Sequence, residues 1–583
     1  MSQHRLYSLL PAWYRGQDAA ARGAGAARAP IEAFVARVEA GFEALHGAVH
    51  ASYDNWFVET CAPELLPVLG TLVGLELTGP ALPGDRRLVA DALARWAGKG
   101  SEWALRDALE AACGWPVEIR EFEKTLLSSR ATRHPRLEAR ERRGDVLGVG
   151  TTVGPNLRRI DVRVRRGFRV MLEDADPFHA GNGWYTFDAG GLPLRCERRS
   201  VRVHAAGEEV ALERPSAEQL RAWEGAPELV PEGGVPLLDA RRGRFWLPAP
   251  APERLRVDHV SVRPGPIGAG LPDADVTPPA GAWRALVSRD FSREEQQPSA
   301  GRYGSIEEAL AAWPRGRDAD VRVLDSGSYG RVVQEAPPGQ TLTLHAHPGE
   351  MPCLESVHVT GRLVLSGVLV TGDVRVSGDA ELRSCTLRGA CSIGGGLIRR
   401  SLIGPVNVRA LDPHGRGELH VFDSVVGHAG PDDAEAPSIA ATGEGLTLLA
   451  ERSTFLGTVS VSAVTRARDC LFAAAVWVAR PYPGRFEHSP YPVGSRTGDA
   501  NDEHAFDAGD APRFASRLPA APGYARLLGP AALLRAATDG GEPGAFHSVH
   551  AAARLARLDQ MLARFLPAGF TASVEIINES NDG

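Results

Sequence analysis

The sequence predicts a multidomain α+β protein: an N-terminal helical domain, a β-rich middle, a right-handed parallel β-helix and a small α/β C-terminal segment. Three observations carry this reading. One apolar stripe at helical spacing follows Pro30, alternating strands set in from Ile160, and very short apolar strands separated by Gly, Ser and Asp fill Leu354 to Val478. The divisions fall near 1–125, 126–300, 301–480 and 481–583.

Length and composition bound the answer first. A chain of 583 residues exceeds one core and implies roughly three to five domains. With 43% apolar and 23% charged residues it has the make-up of a globular protein, and Gly 64 with Pro 43 suits turn-rich β structure. Lys occurs only at 99 and 124, so nearly all 65 basic residues are Arg; with the Ala and Gly richness this suggests a high-GC bacterial genome. Seven scattered Cys with no C-x-x-C indicate neither a disulfide framework nor a zinc site. Cys385 and Cys470 fall at one repeat position, as buried thiols would. Met1 to Asp18 has no apolar leader core, and no run approaches the ~18 apolar residues of a membrane span, so a cytoplasmic location is expected.

The net charge of −7 hides an asymmetry. Arg130 to Arg169 holds twelve Arg against four acids, whereas Asp499 to Asp510 carries five acids and no Lys or Arg. These are either two solvated loops or complementary docking surfaces, on this chain or between subunits. The basic stretch has few aromatics and no helix-turn-helix or zinc-finger frame, which points away from nucleic acid.

Taken in order, Leu9-Leu10-Pro11-Ala12-Trp13-Tyr14-Arg15 leads into an Ala/Gly/Arg stretch, and Pro30 opens a helix. Ile31, Phe34, Val35, Val38, Phe42, Leu45 and Val49 recur at three- and four-residue steps, giving a stripe for core or helix-bundle contact. Asp54-Asn55 ends that helix. Leu65 to Leu77 is a second apolar stretch, and helices are expected around Arg87 to Trp96 and Glu102 to Ala112, the latter capped by Ser101 and closed by Gly114. Val117 to Phe122 alternates as a strand.

Those first motifs resemble the tail protein I family. The resemblance rests on the Leu-Leu-Pro-x-x-Tyr-Arg opening, on Leu66-Pro67-Val68-Leu69-Gly70-Thr71-Leu72-Val73-Gly74, and on Lys99-Gly100-Ser101 before a helix ending at Gly114. It covers roughly residues 1–190, about a third of the chain. The chain departs from the family pattern at Gly98-Lys99-Gly100-Ser101, where Lys-Gly-Thr after basic residues is more usual, and in the loop at 17–29. The resemblance implies a baseplate wedge component of a contractile phage tail or a phage-tail-like contractile injection system, in a variant with an appended β-helix.

In the middle, strands are expected at Asp161 to Val164, Trp184 to Asp188, Ser200 to His204, Arg244 to Leu247 and Arg256 to Val262. A helix capped by Ser305 reaches Trp313, and Val321 to Tyr329 leads into the repeat. There, Cys385, Ser401, Ser424, Ser453 and Cys470 each precede an apolar pair, at intervals of 16, 23, 29 and 17 residues. A recurring three-residue strand with loops of varying length between copies is what stacked solenoid rungs produce. Pro481 to Pro522 has no periodicity; helices near Ala531 to Ala537 and Ala551 to Phe565, and a strand at Thr571 to Ile577, end the chain.

The arrangements that catalysis needs are missing: no G-x-S-x-G, no H-E-x-x-H, no phosphate loop. His345 with His347, and His547 with His550, are spaced as metal pairs without an evident third ligand. β-Helices also host polysaccharide-cleaving enzymes, whose carboxylates cluster on successive rungs. Here Asp373 and Asp379 fit tight turns, and Asp423 and Asp469 occupy equivalent repeat positions. The expectation is a non-enzymatic structural subunit with no cofactor or metal, assembled into a particle of bacterial or phage origin. Its candidate interface is Leu9, Tyr14, Phe34, Val38, Phe42 and Leu45 with Arg130, Arg140 and Arg143. The expected partners are other baseplate wedge subunits, a second copy or a tail-fibre protein. The alternative is a tailspike-like β-helix that binds or cleaves polysaccharide.

Overall fold

Helices open the chain and strands fill most of the remainder, in a computed structural model. It describes residues 5–23, 28–77, 84–115, 117–121, 159–165, 168–175, 178–182, 184–186, 201–205, 208–213, 234–239, 244–248, 255–264, 266–271, 281–289, 295–314, 316–336, 339–409, 417–427, 437–442, 445–480, 484–497, 505–517, 524–566 and 571–577, with a few isolated positions besides. Two compact units result: Met1–Gly114 with Arg557–Phe570, and Trp115–Ala556 with Thr571–Gly583.

The first unit contains α1 (Arg5–Ser8), α2 (Ala12–Ala20), α3 (Pro30–Asp54), α4 (Leu66–Leu72), α5 (Asp85–Ala90), α6 (Ala92–Ala97) and α7 (Glu102–Cys113). The single helix expected around 87–96 is two, because the chain breaks its helical dihedrals at Asp91 (φ −95°, ψ 9°). Ser101 caps α7 as its position suggests, its Oγ accepting the Ala104 amide at 3.3 Å, and Gly114 closes it in the left-handed conformation (φ 65°). The apolar face of α7, Leu105, Ala108, Leu109 and Ala112, is buried. Arg95 is buried too, and its guanidinium is satisfied there by Asp107 Oδ2 (2.5 Å) and by the carbonyls of Arg87 and Leu88. The last helix, α9 (Ala551–Phe565), supplies Phe565 to this unit, stacked on Trp96 at 4.8 Å, and Arg557, paired with Asp85 at 3.2 Å. α8 (Ile306–Ala311) belongs to the second unit, where Ser305 Oγ accepts the Glu308 amide.

In the second unit the strands expected from alternation are present as Val117–Glu121, Arg159–Arg165, Trp184–Thr186, Val201–Ala205, Arg244–Trp246 and Leu255–Pro264. The C-terminal strand, Thr571–Ile577, pairs in parallel with Arg159–Arg165 of its own chain. Two four-stranded sheets follow, sharing a core of Tyr185, Val203, Phe245, Leu247 and Val257. The expected helix near 531–537 is a single 3-10 turn, Leu533–Arg535.

Long parallel sheets occupy the rest. One has eleven strands: Arg302–Tyr303, Trp283–Val287, Ala319–Val323, Thr341–Ala346, Arg362–Ser366, Asp379–Arg383, Gly395–Arg399, Gly417–Phe422, Leu446–Glu451, Ala463–Arg468 and Phe486–Glu487. The other has fourteen, and two arms meet on its strand Cys353–Thr360. Leu369–Val370 extends from the Cys353 end of that strand and Val374–Val376 from the Thr360 end. The chain visits the eleven-stranded sheet and the two arms in turn, as in Arg362–Ser366, Leu369–Val370, Val374–Val376 and then Asp379–Arg383, Thr386–Leu387, Cys391–Ile393. Every pairing in both sheets is parallel, and from Arg362–Ser366 onward each strand lies beside the one three steps on. One apolar core draws on all of these strands, with Leu363, Val370, Val374, Leu382, Leu387 and Ile393 each fully or almost fully buried. Strands of two or three residues have no stability of their own; parallel pairing above and below and this shared core hold them. α8 adds Ile306, Ala309 and Leu310 to the same core.

The corner after each eleven-sheet strand from Arg362–Ser366 onward explains the repeat. Ser384, Arg400, Asp423, Arg452, Asp469 and His488 all have left-handed backbones, φ 44–52°, and Gly367 precedes them in the same role (φ 75°). Such a residue turns the chain sharply and leaves the next amide without a ladder partner. The residue after it supplies the remedy. The amide of Cys385 donates to Ser401 Oγ (3.1 Å), that of Ser401 to Ser424 Oγ (3.0 Å) and that of Cys470 to Ser489 Oγ (3.0 Å). Each hydroxyl in turn donates to a carbonyl two residues back, as Ser424 does to Phe422 at 2.6 Å. Cys385 and Cys470 are buried in this column as the sequence suggested, and burial pushes both thiols up to about 12.

Candidate functional site

α3 begins without a capping side chain of its own, since its N-cap residue is Ala29. Asp18, thirteen residues before Ile31, does the work instead. Its carboxylate accepts the amides of Ile31 (2.7 Å) and Glu32 (2.9 Å) and the Tyr7 hydroxyl (2.9 Å), and it is buried. Burial tends to raise the Asp18 carboxyl, but these three donors outweigh it and hold the group below the usual carboxylate value. Glu39 Oε1 accepts the Leu6 amide at 3.2 Å, so an acid on α2 and one on α3 tie the opening segment to α3.

The opposite face of α3 is bare. Phe34, Phe42 and Leu45 are 69%, 59% and 62% exposed, and Ile31, Val38, Val49, Tyr53 and, just beyond the helix, Trp56 are exposed as well. The sequence allowed this stripe to be core or helix contact; within this chain it is not core. Its spacing is closer than a heptad to the helix repeat. Ile31, Phe42 and Tyr53 lie 11 residues apart, as do Phe34, Leu45 and Trp56, and Val38 and Val49. An 11-residue repeat keeps 3.67 residues per turn, so the stripe runs almost straight along the helix. On α2 and beside it, Leu9, Trp13 and Tyr14 are also exposed, the two rings edge-to-face at 5.0 Å. Side-chain clearance beside the stripe is generous, for a Cβ at Gly41 or Gly47 would meet nothing within 4 Å. A surface helix of a globular protein ordinarily turns such a stripe to the core. Leu9, Tyr14, Phe34, Val38, Phe42 and Leu45 of the expected interface are thus all exposed, whereas Arg130, Arg140 and Arg143 lie outside the described residues. Of the two charged stretches, most of Arg130 to Arg169 and the start of the acidic one also lie outside them.

A polar concavity lies on the sheets. Asp379, Glu381, Glu418, His420 and Arg362 border a trough of about 490 Å³ floored by Gly394, Gly396 and Gly417. Gly396 is enforced by the backbone: its φ is +124°, and a Cβ there would collide with the carbonyl of Ala380. These acids are not the pair that the repeat suggested. Asp423 is bound to Arg452 (Oδ1–Nε 2.6 Å), and Asp469 is buried, accepting the amide and hydroxyl of Thr538 at 2.7 Å. The level of Arg452 separates the two, so they do not stack as neighbours.

The histidine pairs resolve differently. His345 is fully buried with Nε2 3.0 Å from Asp320 Oδ1, while His347 beyond the strand end is exposed. His547 Nε2 and His550 Nδ1 share Asp539 Oδ2 at 3.5 and 3.6 Å, a partner 8 and 11 residues upstream that spacing did not reveal. Burial lowers the His550 pKa; Asp539 opposes this, and His547 and Arg554 reinforce it. Among the described residues no group of three or more His, Cys, Asp or Glu is arranged to hold a metal ion, and no helix is long and apolar enough to cross a membrane.

No curated protein and no solved structure matches the chain. A family model does: residues 26–146, about a fifth of the chain, match the phage tail protein family Tail_P2_I. The matched span contains the whole of α3 and its exposed stripe together with α4 to α7, so it is this N-terminal part of the chain that is similar to the phage tail protein I family.

Proposed function

We propose that the chain is a non-enzymatic baseplate wedge subunit of a phage-tail-like contractile injection system, docking other wedge proteins through α3. The exposed 11-residue-repeat stripe, lying inside the span that matches a tail protein family, carries this reading. In the same reading the parallel sheets close as a right-handed β-helix, a rigid arm that braces the plate or carries a fibre. Three-step parallel pairing around one shared core supports that closure. Stacked strands resist bending, which suits a part that must transmit force when the particle switches arrangement. The particle would assemble in the cytoplasm of a bacterium.

The test is the double variant Phe42→Asp, Leu45→Asp. Because both side chains are already exposed, the variant should fold with stability within about 0.5 kcal/mol of the parent, and it should disappear from sedimented particles. An insoluble product, or undiminished incorporation, contradicts the docking role. A second reading is favoured by the trough alone: with Asp379, Glu381 and Glu418 on its borders it is shaped to take a polar chain such as a polysaccharide. Glycan-array binding that Glu418→Gln abolishes would support it, and no binding would remove it.

A further inference from the structure

His46 and His50 stand four residues apart on α3, both exposed, with ring centroids 4.4 Å apart at 61°. One helical turn brings i and i+4 side chains over each other, so the pairing is built into the backbone and does not depend on a loop. Neither ring has a hydrogen-bond or ion-pair partner among the described residues; each has only the other. Glu43, three residues before His46, and Asp54, four after His50, fall on the same flank of the helix, beside the apolar stripe but not in it.

We propose that His46 and His50 bind one divalent transition-metal ion of the Zn²⁺ class. Two imidazoles at i and i+4 on a helix are the same bidentate donor set that helical zinc motifs use, and neutral imidazole prefers Zn²⁺, Ni²⁺ or Cu²⁺ to Mg²⁺ or Ca²⁺. Water fills the remaining positions. The inference is independent of what covers the stripe, since it needs only the exposed helix.

The experiment is calorimetric titration of the untagged full-length chain with ZnCl₂ at neutral pH, and with MgCl₂ in parallel. About one Zn²⁺ per chain should bind at this site, and Mg²⁺ should not. His46→Ala and His50→Ala should each weaken Zn²⁺ binding at least about tenfold, the lower end of what even outer-shell changes cost. The variant His50→Ala with Ala51→His keeps the histidine count but moves the second ring round the helix, and it should bind no better than His50→Ala. His547→Ala should bind like the parent. Zn²⁺ affinity unchanged by either α3 substitution, loss of binding in His547→Ala, or no Zn²⁺ binding at all would overturn the proposal.

Discussion

The Ser401 amide donates to Ser424 Oγ at 3.0 Å across 23 residues of chain, and Ser424 Oγ donates to the Phe422 carbonyl at 2.6 Å. One hydroxyl therefore satisfies a corner amide on one level and a carbonyl on its own, inside a dry core where neither could reach water.

Removing that hydroxyl strands the Ser401 amide. Ser424→Ala should cost roughly 1–3 kcal/mol, the penalty for a buried donor left unpaired, read as a lowered urea midpoint. Ser424→Cys should cost less, because Cys385 and Cys470 already fill the column with a thiol.

The residue just before each column member is conformationally strained. Ser384, at φ 49°, is the smallest non-glycine among them. Ser384→Gly should stabilise by up to about 1 kcal/mol, the left-handed penalty less the extra freedom glycine gains when unfolded. Gly396→Ala should do the reverse and more strongly, since both its φ of +124° and the Ala380 carbonyl forbid a Cβ. Thermal unfolding of the two variants checks both signs.

Asp18 makes the opening segment acid-sensitive. Its folded carboxyl titrates below the ordinary value, so it contributes stability that is present above the unfolded pKa of about 3.9 and is lost as pH falls through the folded value. Amides of Ile31 and Glu32 should then lose hydrogen-exchange protection below about pH 4, ahead of the sheet core. In Asp18→Ala they should be unprotected at neutral pH as well.

Much of this was legible in the residues. The Ser/Cys position before an apolar pair marked the repeat because one steric event, a left-handed corner with an inward acceptor after it, recurs whatever the loop length. The α3 helix was legible from its periodicity, but exposure was not, since a stripe has the same spacing whether it is core or bare. Ser101 announced itself as a cap by adjacency, whereas Asp18 acts across a loop and Asp539 reaches its histidines from a different turn. The break at Asp91 was hidden because its flanks, Arg87 to Ala90 and Ala92 to Trp96, are both good helix formers. The trough escaped notice because it is made by missing side chains, Gly394, Gly396 and Gly417, brought together only by strand register.

The central claim, a structural tail subunit, is tested most directly by quantitative mass spectrometry of sheath-containing particles sedimented from the native host. The account predicts this chain in the particle fraction at a low, fixed ratio to the tube and sheath subunits. Finding it only in the soluble fraction while intact particles are present would contradict it.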